Sequence, residues 1–546
     1  MNFFILITGI FFNIFSIIVL LYVSMATMIG PWIAPVIVLL CSILFSLRFK
    51  LGLTLSNNYE KVKETVLIQA IGSVGGIIGV GMGFSLPTLY FLSPEVFNNL
   101  LKNPAHFCVF IAIVCFCAGG LGIFLARSFI DKFIDNKELN FPVSQIIYQT
   151  IVSQDQKNKI KKMSLGFFSS WGVGFLRDGF FKFKSFLPHE FVFLPNFFAN
   201  NFVISLTPMF WAIGFIAGAK IILPLLTGIF LKYFVLLPIN SNNDLFFLPS
   251  LSFENFNAIF CSGLILSEIF LSLIIFLKYF LKNIKNLNFY EKSFFIKIFN
   301  IKNAFKKSDI ILILLLSSLF FSFFSYLNFS VISQIFLTIF VIFATYQISY
   351  LGCKVGLVSF GRFATFIMIP MLLIFNLDFM QITMVCVFFN VCSAVSSDLL
   401  FDYKIGQLCN IDFKEIYKYQ WIGLIITSIS IGFFLWLFFT NFQIGSPALF
   451  AQRGKARAIL VQSLGFDFRV ILMGLFSGII LKKLKINPTM VLSGILMPNS
   501  LSIGLIIGAF FARFSKKFKN FDAFWSGVFT GESLWLLLSI LLKKLF

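Results

Sequence analysis

Long apolar runs separated by short polar connections follow one another along almost the whole chain. A helix needs about 20 apolar residues to cross roughly 30 Å of hydrocarbon. Runs of that order stand at Phe4–Val23, Trp32–Leu47, Phe107–Ala126, Phe197–Gly218, Ile221–Leu237, Phe256–Leu277, Ile310–Leu327, Val331–Tyr350, Leu357–Phe375, Ile382–Ser397, Trp421–Phe439 and Phe524–Leu542. Two more stretches, Val66–Leu92 and Asn487–Phe511, are long enough to span but are interrupted. The first carries Gly72, Gly75, Gly76, Gly79, Gly81, Gly83 and Pro87, the second Pro488, Gly494, Pro498, Gly504 and Gly508. Unpaired backbone in hydrocarbon is costly, so a break survives only where protein or a water-filled cavity covers it. The pattern predicts an all-α polytopic integral membrane protein with about 14 to 16 transmembrane helices. Broken or re-entrant helices in both halves point to a transport site.

Composition agrees: 59% of the 546 residues are apolar, 12% are charged, and no charge precedes Arg48. The first apolar run lacks a basic n-region and a small-residue cleavage site, so it is expected to stay as an anchor. A net charge of +21 would suggest nucleic acid in a soluble protein. Here Lys and Arg gather in alternate connections: Arg48, Lys50, Lys61 and Lys63; Arg127, Lys132 and Lys137; 278–307; Lys482, Lys483 and Lys485; Arg513 to Lys519. The connections around Thr27, Asn240–Ser252, Asn328 and Asn441 are nearly free of them. That asymmetry puts the N-terminus, the central linker and the C-terminus in the cytoplasm and leaves no role for nucleic acid. The linker, with eight lysines and one glutamate over 278–307, divides the chain into an N-terminal transmembrane half (1–277), a basic connector (278–308) able to touch anionic lipid, and a C-terminal half (309–546). Each half holds a small-residue helix running into basic residues and then Asn140-Phe141-Pro142 or Asn487-Pro488, which suggests an internal repeat of the transporter kind.

The nine cysteines form no C-x-x-C, and only His106 and His189 are present. No metal site or cofactor is expected, and the cysteines read as small buried hydrophobes. The glycine run contains G-x-G, but neither a preceding strand nor a following acid of a dinucleotide fold, so close helix packing is its reading. Carboxylates inside apolar spans are costly and mark sites, relays or paired groups. Glu268 and Glu532 lie within such runs, and Asp398 and Asp402 share a helix face with Lys404 nearby. All four acids are candidates for proton coupling; for Asp398 and Asp402 the alternative is a solvated helix end. Lys354 and Arg362 flank a short loop, as candidates for a substrate carboxylate or as positive-inside anchors.

Several stretches together resemble the oligopeptide transporter family, especially its bacterial members. Ser397-Asp398-Leu399 with Asp402 and Lys404-x-Gly406 looks like its Ser-Asp-Leu...Asp-x-Lys-x-Gly stretch. Asn57-Asn58 and Leu86-Pro87-x-Leu89 resemble its Asn-Asn and Leu-Pro-Ala-Leu elements, and Leu139-Asn140-Phe141-Pro142 its Leu-x-Phe-Pro. Ile213 to Gly218, Pro498-x-Ser500-Leu501-Ser502-Ile503 and Gly527-x-x-x-Gly531-Glu532 follow in family order. The chain departs from the family at Pro142-Val143-Ser144, where an acid is lost, and at Val358 to Phe363. The resemblance implies a secondary transporter of a cell inner membrane, importing short peptides or siderophore-type metal chelates with protons by alternating access. Its pathway candidates are Asn58, Pro87, Phe141, Pro142, Pro498, Asn499 and Ser500, beside Lys354 and Arg362. A transferase acting on lipid-linked substrates is the alternative, for which Asp398, Asp402 and Lys404 would line one membrane edge. Acids scattered as widely as Glu268 and Glu532 favour transport over that enzyme, and no filter repeat marks a channel.

Overall fold

The computed structural model describes residues 3–26, 32–50, 58–134, 139, 141–152, 157–179, 185–188, 190–197, 200–218, 222–241, 307–355, 360–446, 449–462, 468–496 and 499–514, with individual helical positions inside 253–267 and 521–535. The basic connector and its boundaries lie mostly outside these residues. In the first half the helices are α1 (Phe3–Ala26), α2 (Ala34–Lys50), α3 (Asn58–Ser85), α4 (Pro87–Leu92), α5 (Pro94–Leu101), α6 (Pro104–Phe133), α7 (Pro142–Val152), α8 (Lys157–Asp178) and α9 (Pro208–Ala217), then α10 (Ile222–Ser241), which contains a π-helical turn at Leu231–Leu236. The second half contributes α11 (Lys307–Tyr326), α12 (Val331–Val355), α13 (Phe360–Phe375), α14 (Phe379–Leu408), α15 (Phe413–Asn441), α16 (Gln452–Gln462), α17 (Phe468–Lys483), α18 (Pro488–Leu496) and α19 (Asn499–Phe514). Seven of the described helices are long and apolar enough to span a bilayer, and shorter apolar helices accompany them. The protein is an all-α polytopic membrane protein.

Two expectations need correction. Phe197–Gly218 is not one spanning helix. Strands β1 (Glu190–Phe197) and β2 (Asn200–Ser205) pair antiparallel there, with Val192 opposite Val203 and Phe197 opposite Asn200, and only the ten residues of α9 remain helical. The glycine run is not a break either: α3 continues through all six glycines to Ser85. The interruption shrinks to Leu86, itself helical at φ −62°, ψ −37°, whose N–H still reaches Met82 O at 2.9 Å. Pro87 then opens α4, where its missing N–H is harmless. The glycines serve close packing. A Cβ on Gly81 would meet the Asn390 backbone of α14 at 3.3 Å, and one on Gly75 would strike the Asn13 carbonyl of α1.

The chain forms two compact units, each drawing segments from both sides of the connector: 1–24, 32–155 and 272–440 in one, 25–31, 156–271 and 441–546 in the other. In the first unit α14 is the central post, packed by α3, α6, α7, α12 and α13. Every residue from Gln381 to Gly406 except Lys404 is buried, so this helix is enclosed on all sides by its neighbours. Its start is fixed by a capping box between Asp378 and Gln381.

In the second unit helices cross in nested order. Gly166 of α8 meets Phe524 and Gly527 meets Met163 of α8; Gly214 of α9 meets Leu505 of α19 and Gly508 meets Trp211; Gly228 of α10 and Gly494 of α18 face each other; Gly263 faces Gly474 of α17. Exchanging the two sets of segments leaves this set of crossings unchanged. At the α10/α18 crossing each added Cβ would stand within 2.9 Å of the other glycine's Cα, so backbone approaches backbone with nothing able to yield. Gly228→Val is expected to destabilise the protein by about 3 kcal/mol or more, read from the thermal midpoint of purified protein. Gly172→Ala, where a Cβ meets nothing within 4 Å, is the control, and an unchanged midpoint for Gly228→Val would overturn the crossing as drawn.

Candidate functional site: two buried carboxylate clusters

The first cluster is built on α14. Spacing of four brings Asp398 and Asp402 onto one face, 2% and 1% exposed. They lie buried inside a 30-residue helix, not at a solvated helix end. The α3 side chains Gln69 and Ser73, also four apart, face them. Ser73 Oγ donates to Asp398 Oδ2 at 2.8 Å and Gln69 Nε2 to Asp402 Oδ1 at 2.8 Å. Gln420 of α15 donates Nε2 to Asp402 Oδ2. The carbonyl oxygens of Gln69 and Gln420 are buried without a hydrogen-bond partner. Lys404 turns elsewhere: its Nζ donates to Ile134 O at 3.1 Å and Gln407 Oε1 at 2.7 Å and lies 5.4 Å from the Phe141 ring centroid. One turn toward the N-terminus of α14, Ser349 of α12 approaches Ser396 and Ser397 at 3.4 and 3.3 Å.

Phe141 closes one side of this region. It is fully buried, packs edge-on against Phe401 at 6.4 Å, and holds φ at +45° while its N–H reaches Cys353 O at 2.8 Å. Left-handed backbone at a bulky residue is strained, and such strain clusters at functional sites. Pro142 follows as the first residue of α7.

The second cluster joins α8 to the C-terminal segment. Arg177 makes a two-pronged pair with Asp178 (Nη2–Oδ2 2.7 Å, Nε–Oδ1 2.9 Å) and a third bond to Glu532 Oε1 at 2.6 Å. Arg177 is 2% exposed and Glu532 fully buried. Trp535 Nε1 donates to Asp178 Oδ2 at 2.7 Å, and Trp171 Nε1 to Gly531 O at 2.9 Å. Glu532, read from sequence as a proton carrier, therefore stands as one arm of an ion-paired group, with its Oε2 unpaired.

The other candidates scatter. Asn58 begins α3, and Lys354 and Arg362 lie in α12 and α13; the side chains of these three and of Pro142 are outside the described set, as are Glu268 and Pro498. Pro87 is buried at the start of α4. Asn499 opens α19 and donates Nδ2 to Tyr233 OH at 2.6 Å, beside buried Ser500. Sequence reasoning missed Gln69, Ser73, Gln420, Arg177, Asp178 and Tyr233. A Gln and a Ser four apart within a glycine-rich apolar helix were the available signal for the first two. Of the nine cysteines eight are buried, and none is in a disulfide.

Compared with protein families, residues 1–543 match the model of the OPT oligopeptide transporter protein. The chain belongs to the oligopeptide transporter family. No curated protein matches it. As a member of the oligopeptide transporter family it is a multi-pass membrane transporter of oligopeptides or similar solutes, and the acid pair of α14 is read below in that setting.

Proposed function

We propose that this transporter imports short peptides or metal chelates by alternating access, driven by protons that load on Asp398 and Asp402. The observation that carries the reading is a fully buried carboxylate pair whose described hydrogen-bond partners, Ser73, Gln69 and Gln420, are all uncharged. Two such carboxylates one turn apart repel each other in a medium that screens poorly, and a single positive charge relieves them. A group that gains and loses that charge can tie ion movement to a change of shape. Glu532 is the weaker carrier, since Arg177 already supplies its counter-charge. The nested crossings of the second unit support an internal repeat, the usual frame for alternating access. The strained Phe141 beside Pro142, and Asn499 and Ser500 at the head of α19, are proposed as substrate contacts. The Lys and Arg distribution supports an inner-membrane protein with both termini and the connector in the cytoplasm.

Purified protein in proteoliposomes should accumulate a peptide or ferric chelate above the outside concentration when a proton gradient is imposed, and should only equilibrate it without one. Accumulation indifferent to the gradient, across mixed peptides and chelates, would sink proton coupling.

A further inference from the structure

We infer that α16 is an anion-recognition helix on the outer side of the second unit, whose Arg453, Lys455 and Arg457 select a substrate rich in carboxylates; the inference rests on the transport reading above and narrows its substrate class.

Sidedness comes first. The connection around Thr27, just after α1, is outer by the charge distribution, and the Ala451 N–H, one residue before α16, donates to Met25 O near the end of α1 at 2.6 Å. The helix that follows, α17, carries Lys482 and Lys483 in its last turn, on the basic, cytoplasmic side. So α16 starts from the outer face. Cations are disfavoured there, and the connections around Thr27, Asn240–Ser252 and Asn328 hold no Lys or Arg. Over 453–469 the chain nevertheless sets Arg453, Lys455, Arg457 and Arg469 against one acid, Asp467. Cytoplasmic anchoring does not account for them.

Nor are they a solvated fringe. Gln452, Gly454 and every residue from Ala456 to Val461 are buried, with Arg457 3% exposed. Ala456 sits in an apolar core with Leu236 of α10 and Val491 and Leu492 of α18, and Gln452 Nε2 donates to Leu492 O at 3.4 Å. Arg453 and Lys455 are half-buried, and Lys455 Nζ lies 5.5 Å from the Phe450 ring centroid. Arg453 and Arg457, four apart, share a face, so positive charge runs from a half-open position to an enclosed one a turn further along. Ala451, which leads into the helix, holds φ at +50°, left-handed backbone of the strained kind that clusters at functional sites. A charged side chain enclosed in a membrane protein is costly and marks a pathway or a pair. The neighbours favour a pathway: α18 leads to Asn499, whose Nδ2 donates to Tyr233 OH of α10. The two helices that border α16 thus also carry the substrate contacts proposed above.

The matching chemistry is carboxylate. A guanidinium stays charged across the physiological range and offers paired N–H groups that fit both oxygens of a carboxylate. Three cations on one short helix suit a substrate with several such groups, an acidic peptide or a polycarboxylate chelate, better than a neutral or basic peptide. Anion entry is opposed by the inside-negative potential, and protons travelling with the substrate offset that opposition.

The test is equilibrium binding of labelled triglutamate and, separately, of ferric citrate to the purified full-length protein, with trialanine, trilysine and phosphatidylglycerol as competitors. Saturable binding of at least one anion, resistant to trialanine and trilysine and weakened about tenfold or more in Arg453→Gln and in Arg457→Lys, supports the inference; the tighter anion tells peptide from chelate. Lys455→Gln, a mild change at a half-buried position, should weaken binding less and guards against variants that fail to fold. Arg453→Cys should react with a membrane-impermeant thiol reagent from outside intact cells, above the background of the unaltered protein, and bound anion should slow the reaction. Anions that bind no tighter than trialanine, unchanged binding in the folded variants, labelling from the cytoplasmic side alone, or displacement by phosphatidylglycerol in preference to either anion, which would make α16 a lipid-headgroup site, would overturn it. Gradient-driven uptake separates this inference from the coupling proposal. Accumulation of trialanine with no preference for anions sinks anion recognition alone, and anion binding without gradient-driven uptake sinks proton coupling alone.

Discussion

Asp402→Asn should abolish gradient-driven accumulation while leaving the protein folded and able to exchange substrate across the membrane. Asparagine matches aspartate in size and still offers an oxygen to Gln69 or Gln420, so the three helices that meet at this point keep their spacing. What it cannot do is take up and release a proton. Removing an acid–base group of this kind costs on the order of 100-fold or more in rate, and the same scale is expected for uphill uptake. Counterflow of labelled against unlabelled substrate, which needs no net ion movement, should persist. Asp398→Asn should act in the same direction. Normal accumulation in both variants would remove the pair from the coupling mechanism, and Glu532→Gln, in which Arg177 keeps its two-pronged bond to Asp178, should stay near normal in the same assay.

Arg177→Met is expected to be the most destabilising single change in the second unit. The guanidinium is 2% exposed and answers two carboxylates, Asp178 and Glu532, themselves 8% and 0% exposed. Removing one partner of a buried ion pair leaves uncompensated charge and costs about 3–5 kcal/mol; here two acids lose their counter-charge at once. Thermal unfolding of the purified protein should show a large fall in midpoint. Adding Glu532→Gln to Arg177→Met should restore part of it, since one of the stranded charges is then removed. A variant that melts like the unaltered protein, or a double variant no better than the single, would mean that the triad contributes little to holding α8 against the C-terminal segment.

Hydropathy located most of the long helices within a few residues, because burial in lipid or in a bundle demands the same continuous apolar run. It failed where another rule won. Ile382–Ser397 looked like a whole span, yet α14 continues to Leu408, since Asp398 and Asp402 are buried against side chains of α3 and α15. The six glycines of α3 pack closely against neighbouring helices as their spacing suggested, but the break expected at Pro87 shrinks to a helical Leu86 before α4. Phe197–Gly218 read as a span on apolarity, although its first third belongs to a hairpin. For the candidate site, the carboxylates were visible because charge in an apolar run is conspicuous. Their partners were not: Gln69 and Asp402 are 333 positions apart, and nothing local in a lone glutamine says which distant acid it will meet.

That separation also sets a schedule for biogenesis. A ribosome adds about 5–20 residues per second, so Gln69 enters the membrane about 15 to 70 seconds before Asp402 exists. Asn13, whose amide bonds Ile71 O at 2.7 Å and accepts from Thr427 Oγ1 at 3.0 Å, waits longer still for the second of these. Throughout that interval Gln69 carries an amide, and Asn13 a carbonyl, whose later partners are not yet made, in a solvent that punishes exposed polar groups. Because each compact unit is assembled from both sides of the connector, neither can close until synthesis is far into the second half. The nascent protein needs the shelter of the insertion machinery for most of its translation, and a chain truncated at the connector holds two incomplete bundles.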